Sequence, residues 1–123
     1  MKSKTILVVE DDKWLLEQYS RVLVKEGYRV VPTTNALAAV QTIDEAFPDV
    51  IVLDMLLTGS TAFSLLHELQ SYSDTGSIPI ILCTNIASEL NLEDLTAYGV
   101  KKIIDKTKMM PEDIIIALRS ILS

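Results

Sequence analysis

Three carboxylates, Glu10, Asp11 and Asp12, follow directly on the apolar run "ILVV" that begins at Ile6. Like charges this close cost free energy unless something positive joins them. They either decorate the positive start of a helix or wait for a cation. A further acid, Asp54, interrupts the apolar stretch "VIVLDMLL". Strand interiors disfavour aspartate, and burying it without a partner is costly. Thr84 closes "PIILCT" and Lys106 closes "IIDK". Glu10, Asp11 and Asp54 offer the oxygen ligands that Mg2+ prefers, a cation that keeps several waters and often takes only one or two carboxylates beside a phosphate. Three carboxylates against one ammonium leave two negative charges, which one Mg2+ balances. A phosphoryl group arriving there meets the metal, Lys106 and the Thr84 hydroxyl, the parts that stabilise phosphoryl transfer. Asp54 is then the nucleophile, since a carboxylate can form an aspartyl-phosphate.

Those residues are far apart in the chain, so the fold must bring them together. Short apolar runs recur as "TILVV", "YRVVP", "DVIVLD", "IPIILC" and "VKKIID". Stretches with helical spacing lie between them. Leu15, Leu16, Tyr19, Val22 and Leu23 share one face, and Gly27 stops that helix. Leu37, Val40, Ile43 and Phe47 are expected to form the next stripe, with Asn35 as N-cap and Pro48 past the end. Phe63, Leu65, Leu66 and Leu69 form a third, capped by Ser60 or Thr61. A weaker fourth helix runs from about Glu89 to Tyr98, on Leu92, Leu95 and Tyr98, and Gly99 closes it. The last helix starts at Pro111 and carries Ile114, Ile115, Leu118, Ile121 and Leu122.

Strand then helix, five times, predicts an α/β domain with a doubly wound five-stranded parallel sheet covered on both faces. In such sheets ligands sit outside the carboxyl ends of the strands. Glu10, Asp54, Thr84 and Lys106 all fall at those ends.

The 123 residues predict one domain, over 1–123, with no output domain in this chain. With 49% hydrophobic residues, disorder is excluded, and a net charge of −6 removes any basic nucleic-acid footprint. No apolar run approaches the ~20 residues of a membrane span. "MKSKTILVVEDD" lacks a cleavage site and runs into acids, so a cytoplasmic protein without membrane insertion is expected. The single cysteine, Cys83, reads as a buried inert thiol. His67 falls off its helix stripe and reads as exposed. Asp12 reads as a helix cap or solvated acid, Trp14 as packed or half-packed near the acids, and Lys108 as a solvated loop lysine. Met109 and Met110 read as packing or loop residues.

Taken together, "VVEDD", "VIVLD", "PIILCT" and "IIDK" make the chain resemble a response-regulator receiver domain of two-component signal transduction, over essentially its whole length. The resemblance implies a (βα)5 flavodoxin-like fold with strand order 2-1-3-4-5. It implies that Asp54 is the phosphoacceptor and that the donor is the phosphohistidine of a sensor histidine kinase or phosphotransfer protein. It further implies Mg2+ bound by Asp11, by Glu10 directly or through water, by Asp54 and by the main-chain carbonyl of Leu56. Thr84 and Lys106 would contact the phosphoryl oxygens and carry the switch to the surface of helix four, strand five and helix five. A downstream protein target, no direct nucleic acid, and a monomer or weak homodimer are the expected associations. The protein would be no enzyme beyond its own phosphorylation and dephosphorylation.

Four positions depart from that pattern. Thr58, followed by Gly59, replaces the usual proline after the acceptor. Asn85 replaces a small residue after the threonine, and obstructs the phosphate site or bonds to it. Ile103 replaces the usual aromatic, so an aromatic rotamer cannot be the output signal. Thr107 replaces a cis-linked proline, which makes a cis bond improbable at a cost of ~2.5–4 kcal/mol. These point to an altered output surface more than to lost phosphorylation. Leu56 and Ile86 are apolar where the family tunes water access, which predicts slow self-dephosphorylation. The alternative function is a phosphorylation-independent protein-binding module. A phosphatase of the haloacid-dehalogenase type would need a second aspartate where Leu56 stands, and a flavin phosphate would be repelled by "EDDKW".

Overall fold

Strand residues alternate sides, so a strand that is apolar throughout needs cover on both faces. The computed structural model describes residues 3–54, 62–72 and 74–122. It supplies that cover with β1 (Thr5–Val9), α1 (Lys13–Lys25), β2 (Arg29–Thr33), α2 (Ala36–Glu45), β3 (Val50–Leu53), α3 (Ala62–Gln70), β4 (Ile80–Thr84), α4 (Leu92–Leu95), β5 (Val100–Asp105) and α5 (Glu112–Leu122). The sheet is parallel with order β2-β1-β3-β4-β5, as expected. Every residue of β3 and β4 is buried, and so are Ile6–Val9 of β1.

Alternation sorts the core into two layers. Leu7, Val9, Ile51, Leu53, Ile80 and Leu82 face α2 and α3, meeting Ala39, Ile43, Leu65, Leu66 and Leu69. Ile6, Val8, Val50, Val52, Ile81 and Cys83 face α1 and α5, meeting Leu16, Tyr19, Leu23, Ile114 and Leu118. Cys83 is a free, buried thiol that burial pushes up from its ordinary 9.0 to about 12.

Local signals set the helix ends. Asp12 caps α1, its Oδ1 accepting from the amides of Trp14 (3.0 Å) and Leu15 (3.1 Å). Asn35 caps α2 through Ala38 N at 2.8 Å. Gly27 and Gly99 take φ of 96° and 86° after α1 and before β5, a region closed to most side chains. Met110 and Asp113 close the start of α5 reciprocally. Met110 N donates to Asp113 Oδ2, and Asp113 N to Met110 O, both at 2.9 Å. Pro111 therefore sits one residue ahead of α5 rather than inside it.

Three helix faces differ from expectation. In α2 the inward face is Ala36, Ala39 and Ile43, with Val40 half-buried, whereas Leu37 is 69% exposed; Phe47, expected on the same stripe, lies past the helix end at Glu45 and is 52% exposed. Small residues let that helix lie close to the sheet, and a stripe traced through the large residues is rotated away from the true contact. In α3, Leu65, Leu66 and Leu69 carry the packing and Phe63 is exposed. The caps expected at Ser60 or Thr61 lie outside the described residues, as do Leu56, Thr58 and Gly59. The fourth helix shrinks to one turn, α4, between 3-10 turns at Ala87–Glu89 and Thr96–Tyr98. Leu95 is its one buried side chain, too little apolar surface to hold a longer helix down.

Candidate functional site

The sheet's own hydrogen bonds continue one residue past the strands and fix the functional residues in space. Glu10 N donates to Thr33 O (3.0 Å), Asp54 N to Val9 O (3.2 Å) and Lys106 N to Thr84 O (3.0 Å). Backbone positions at the ends of β1, β3 and β5 are therefore set by the ladder, not by loops. Glu10 (2% exposed) and Asp54 (6%) are buried. The Lys106 ammonium bridges them, donating to Asp54 Oδ2 at 2.8 Å and pairing with Glu10 Oε1. Glu10 Oε2 also accepts from Asp12 N at 3.1 Å.

Asp11 completes the cluster. One carboxylate oxygen from each of Glu10, Asp11 and Asp54 lies within 4.8 Å of the others. All three donors are hard oxygens and their summed charge exceeds that of Lys106, so the set fits a hard divalent cation that keeps several of its waters. The electrostatics agree. Burial is the largest influence on Glu10 and raises its carboxyl above the ordinary value, against the hydrogen bond from Lys106. Burial also pulls Lys106 down, but its bonds to Asp54 and Glu10 and their charges outweigh it, and its net shift is upward. Excess negative charge, partly out of water, is the field a cation or a phosphoryl-bound cation enters.

A cavity of about 590 Å³ opens beside the acids. Glu10, Asp11, Asp54 and Lys106 are among its polar lining, and Trp14, Tyr19 and Met109 add apolar surface to it. Trp14 is 66% exposed, more than the packed or half-packed side chain expected. Asn85, also exposed, lines the same space. The Tyr19 hydroxyl, buried under the acids, donates to Met109 Sδ at 4.0 Å. Its pKa is raised, by burial first and by Cys83 and the acids after it. Tyr19 and Met109 were missed as site residues because both read as ordinary packing. Their only signal is position, one on α1 and the other just past Lys106.

The structure brings Glu10, Asp11, Asp54 and Lys106 together, but Thr84 stands apart. It is fully buried, does not line the cavity, and its Oγ1 accepts from Ile86 N at 3.3 Å. Alternation explains this: Cys83 faces α1 and α5, so Thr84 turns to the other side. The Leu56 carbonyl expected as a ligand lies outside the described residues. His67 is exposed and meets Tyr98, Nε2 to OH at 3.3 Å with the rings edge to face. Among the described residues no helix is long and apolar enough to cross a membrane.

Residues 6–119 match the response regulator receiver domain. The transcriptional regulatory protein YvrH of Bacillus subtilis is 32% identical over 107 residues, which cover 86% of this chain and 44% of that protein. The probable transcriptional regulatory protein TcrX of Mycobacterium tuberculosis is 30% identical over 119 residues, covering 96% and 49%. The chain thus spans about half the length of the curated relatives it matches. A putative response regulator from Chloroflexus aurantiacus superposes with a TM-score of 0.83 at 26% identity, covering 98% of each chain. The chemotaxis response regulator CheY4 of Vibrio cholerae reaches 0.84 at 22%, covering 98% and 99%, a likeness of fold.

Proposed function

The chain belongs to the response regulator receiver domain family, and we propose that it is a phosphoacceptor switch in which Asp54 takes a phosphoryl group from a histidine kinase or phosphotransfer protein. The observation that carries this reading is the buried Asp54 carboxylate held by Lys106 at 2.8 Å inside the acidic cluster. An Asp54 oxygen attacks phosphorus, the P–N bond of phosphohistidine breaks, and the imidazole nitrogen takes the leaving electron pair. The product is an acyl phosphate on residue 54.

Lys106 holds the acceptor in place and is poised to follow the phosphoryl oxygens once they replace the free carboxylate. Glu10, Asp11, Asp54 and the carbonyl of Leu56 are the residues that would hold Mg2+. When bound, that ion supplies neutralising charge between the carboxylates and the phosphoryl oxygens. Asp12, already spent as the α1 cap, takes no part.

Output would run through Thr84. Among the described residues its hydroxyl holds one long bond, accepted from Ile86 N. Turning toward a phosphoryl oxygen exchanges that bond for a charge-assisted one. Ile86 begins the segment that leads through α4, so a new position for Thr84 is felt along the α4, β5 and α5 surface. Ile103 lies half-buried on β5, and the change is one of packing, not of an aromatic side chain. The phosphoryl group shifts the equilibrium only as far as it favours one state. A cytoplasmic switch that acts on a downstream protein and not directly on nucleic acid is the corresponding role. It catalyses no reaction beyond its own gain and loss of phosphate.

Intact-mass measurement after incubation with phosphoramidate and Mg2+ tests this. Wild type should gain one phosphoryl group; Asp54→Asn, or wild type with EDTA, should gain none. Equal labelling of Asp54→Asn, or no labelling of wild type, would leave a phosphorylation-independent docking module as the better description.

A further inference from the structure

Beside the ladder bond from Lys106 N to Thr84 O, the chain on either side of Lys106 has a fixing device of its own. Lys106 is the first residue past β5, and its ammonium is aimed at Asp54 and Glu10 with its side chain only 9% exposed. The chain turns immediately afterwards. Thr107 donates twice to one atom, Asp105 Oδ1: its amide at 2.9 Å and its hydroxyl at 2.6 Å. The main-chain carbonyl of Asp105 accepts from Lys108 N and Met109 N, each at 3.1 Å. Asp105 thus receives four bonds from the three residues after Lys106. No cis peptide occurs among the described residues.

Neither Asp105 nor Thr107 lines the acidic cavity. A structural need to end β5 does not explain the second bond from Thr107. One amide-to-carboxylate bond already makes an Asx turn. The hydroxyl bond ties the residue on one side of Lys106 to the residue on the other, and so removes freedom from the backbone that carries the lysine. A long flexible side chain reaches a fixed partner well only if its root is fixed.

We propose that Asp105 and Thr107 are positioning residues for Lys106, a side-chain lock across its backbone that holds the ammonium on Asp54. The inference rests on the reading of Asp54 as phosphoacceptor, but the lock itself can be read in the unphosphorylated protein. The hydrogen bonds from Thr107, side chain first and amide second, hold the Asp105 carboxyl below its usual range, as expected of an acceptor kept charged.

The test uses Thr107→Val, which removes the hydroxyl at nearly constant shape, and Thr107→Ser, which keeps it. The first readout is the side-chain 15N signal of Lys106 in the unphosphorylated protein, assigned by its loss in Lys106→Arg. The second is the rate of Asp54 phosphorylation by phosphoramidate with Mg2+. Thr107→Val should move the Lys106 signal toward those of solvated lysines and slow phosphorylation about three- to tenfold, the size expected for one lost hydrogen bond. Thr107→Ser should restore both. A Lys106 signal unchanged in folded Thr107→Val overturns the lock, whatever the rate. A shifted signal in a protein whose wild type accepts no phosphate supports the lock and instead sinks the phosphoacceptor reading.

Discussion

The end of β4 divides the molecule into two regions built in opposite ways. On the α1 and α5 side, Glu10, Asp54 and Lys106 stand on ladder hydrogen bonds, buried and mutually paired. On the other side, residues 85–98 form one helical turn and two 3-10 turns, with Leu95 the single buried side chain. Their short bonds are local, such as Glu93 N to Asn91 Oδ1 and Thr96 Oγ1 to Glu93 O at 2.9 Å, and among the described residues the side-chain bonds that tie the segment to its surroundings are long: Ile86 N to Thr84 Oγ1 at one end, Tyr98 OH with His67 Nε2 at the other, both 3.3 Å. The contrast separates two tasks. Chemistry needs groups that do not move until the reacting group arrives, and rigid strand ends provide that. A switch needs an element whose position costs little to change, drawn from the low-stability part of the fold.

Core substitutions should sharpen this comparison most strongly. Leu66→Ala, in the fully buried layer under α3, should cost ~2–5 kcal/mol in urea unfolding. Leu95→Ala should cost less, because a one-turn helix can resettle into the space. Amides of 87–98 should exchange with deuterium well before those of β4. Equal costs and equal exchange would break the division.

Next in size is Lys106→Met, which leaves Glu10 and Asp54 facing each other. Removing one partner of a fully buried pair costs ~3–5 kcal/mol, and the opening of this one onto a cavity reduces that to about 1–3 kcal/mol at neutral pH. The deficit should shrink as pH falls. The folded pKa of Glu10 is raised, and more so without the ammonium. The folded state then binds more protons than the unfolded one, and stability rises toward acid. Mg2+ should stabilise this variant more than wild type. Urea melts at pH 5 and pH 8, with and without the ion, check both signs; a deficit indifferent to pH and metal would contradict the charge account.

A smaller effect is expected in alkali. Cys83, Tyr19 and Lys106 all have raised pKa values in the fold. Each is a group whose protonated form folding favours. Their contributions are present below the unfolded values and lost as pH rises through the folded ones. Melting temperature should therefore fall from about pH 9 upward, where the ordinary thiol begins to ionise, and Cys83→Val should soften the onset. The smallest signal is optical: Trp14, the one tryptophan, lines the acidic cavity, so Mg2+ titration should change its emission. A flat titration would place the ion elsewhere.

Much of the rigid region was legible in the sequence, and much of the responsive region was not. Continuous apolar runs announce buried parallel strands, and Asp12, Asn35, Gly27 and Gly99 announce the ends of elements, because each answers a local backbone requirement. Asp54 was legible because an acid in "VIVLDMLL" contradicts its neighbours. The orientation of Thr84 was not, since it depends on strand parity counted from a partner layer. The inward face of α2 is not legible from side-chain size: Leu37 and Phe47 are large but exposed, while Ala36 and Ala39 make the contact. The cavity joining Tyr19 to Met109 comes from residues 90 apart and has no local signature. The Asp105–Thr107 turn does have one, an aspartate two residues before a threonine.

The central claim is that residue 54 itself receives the phosphoryl group. Borohydride reduces an acyl phosphate of aspartate to homoserine, which fragment mass spectrometry locates. After phosphoramidate and Mg2+ treatment, homoserine should appear at position 54 and vanish in the Asp54→Asn protein. Homoserine at position 11, or at no position in a protein that stays folded, would contradict it.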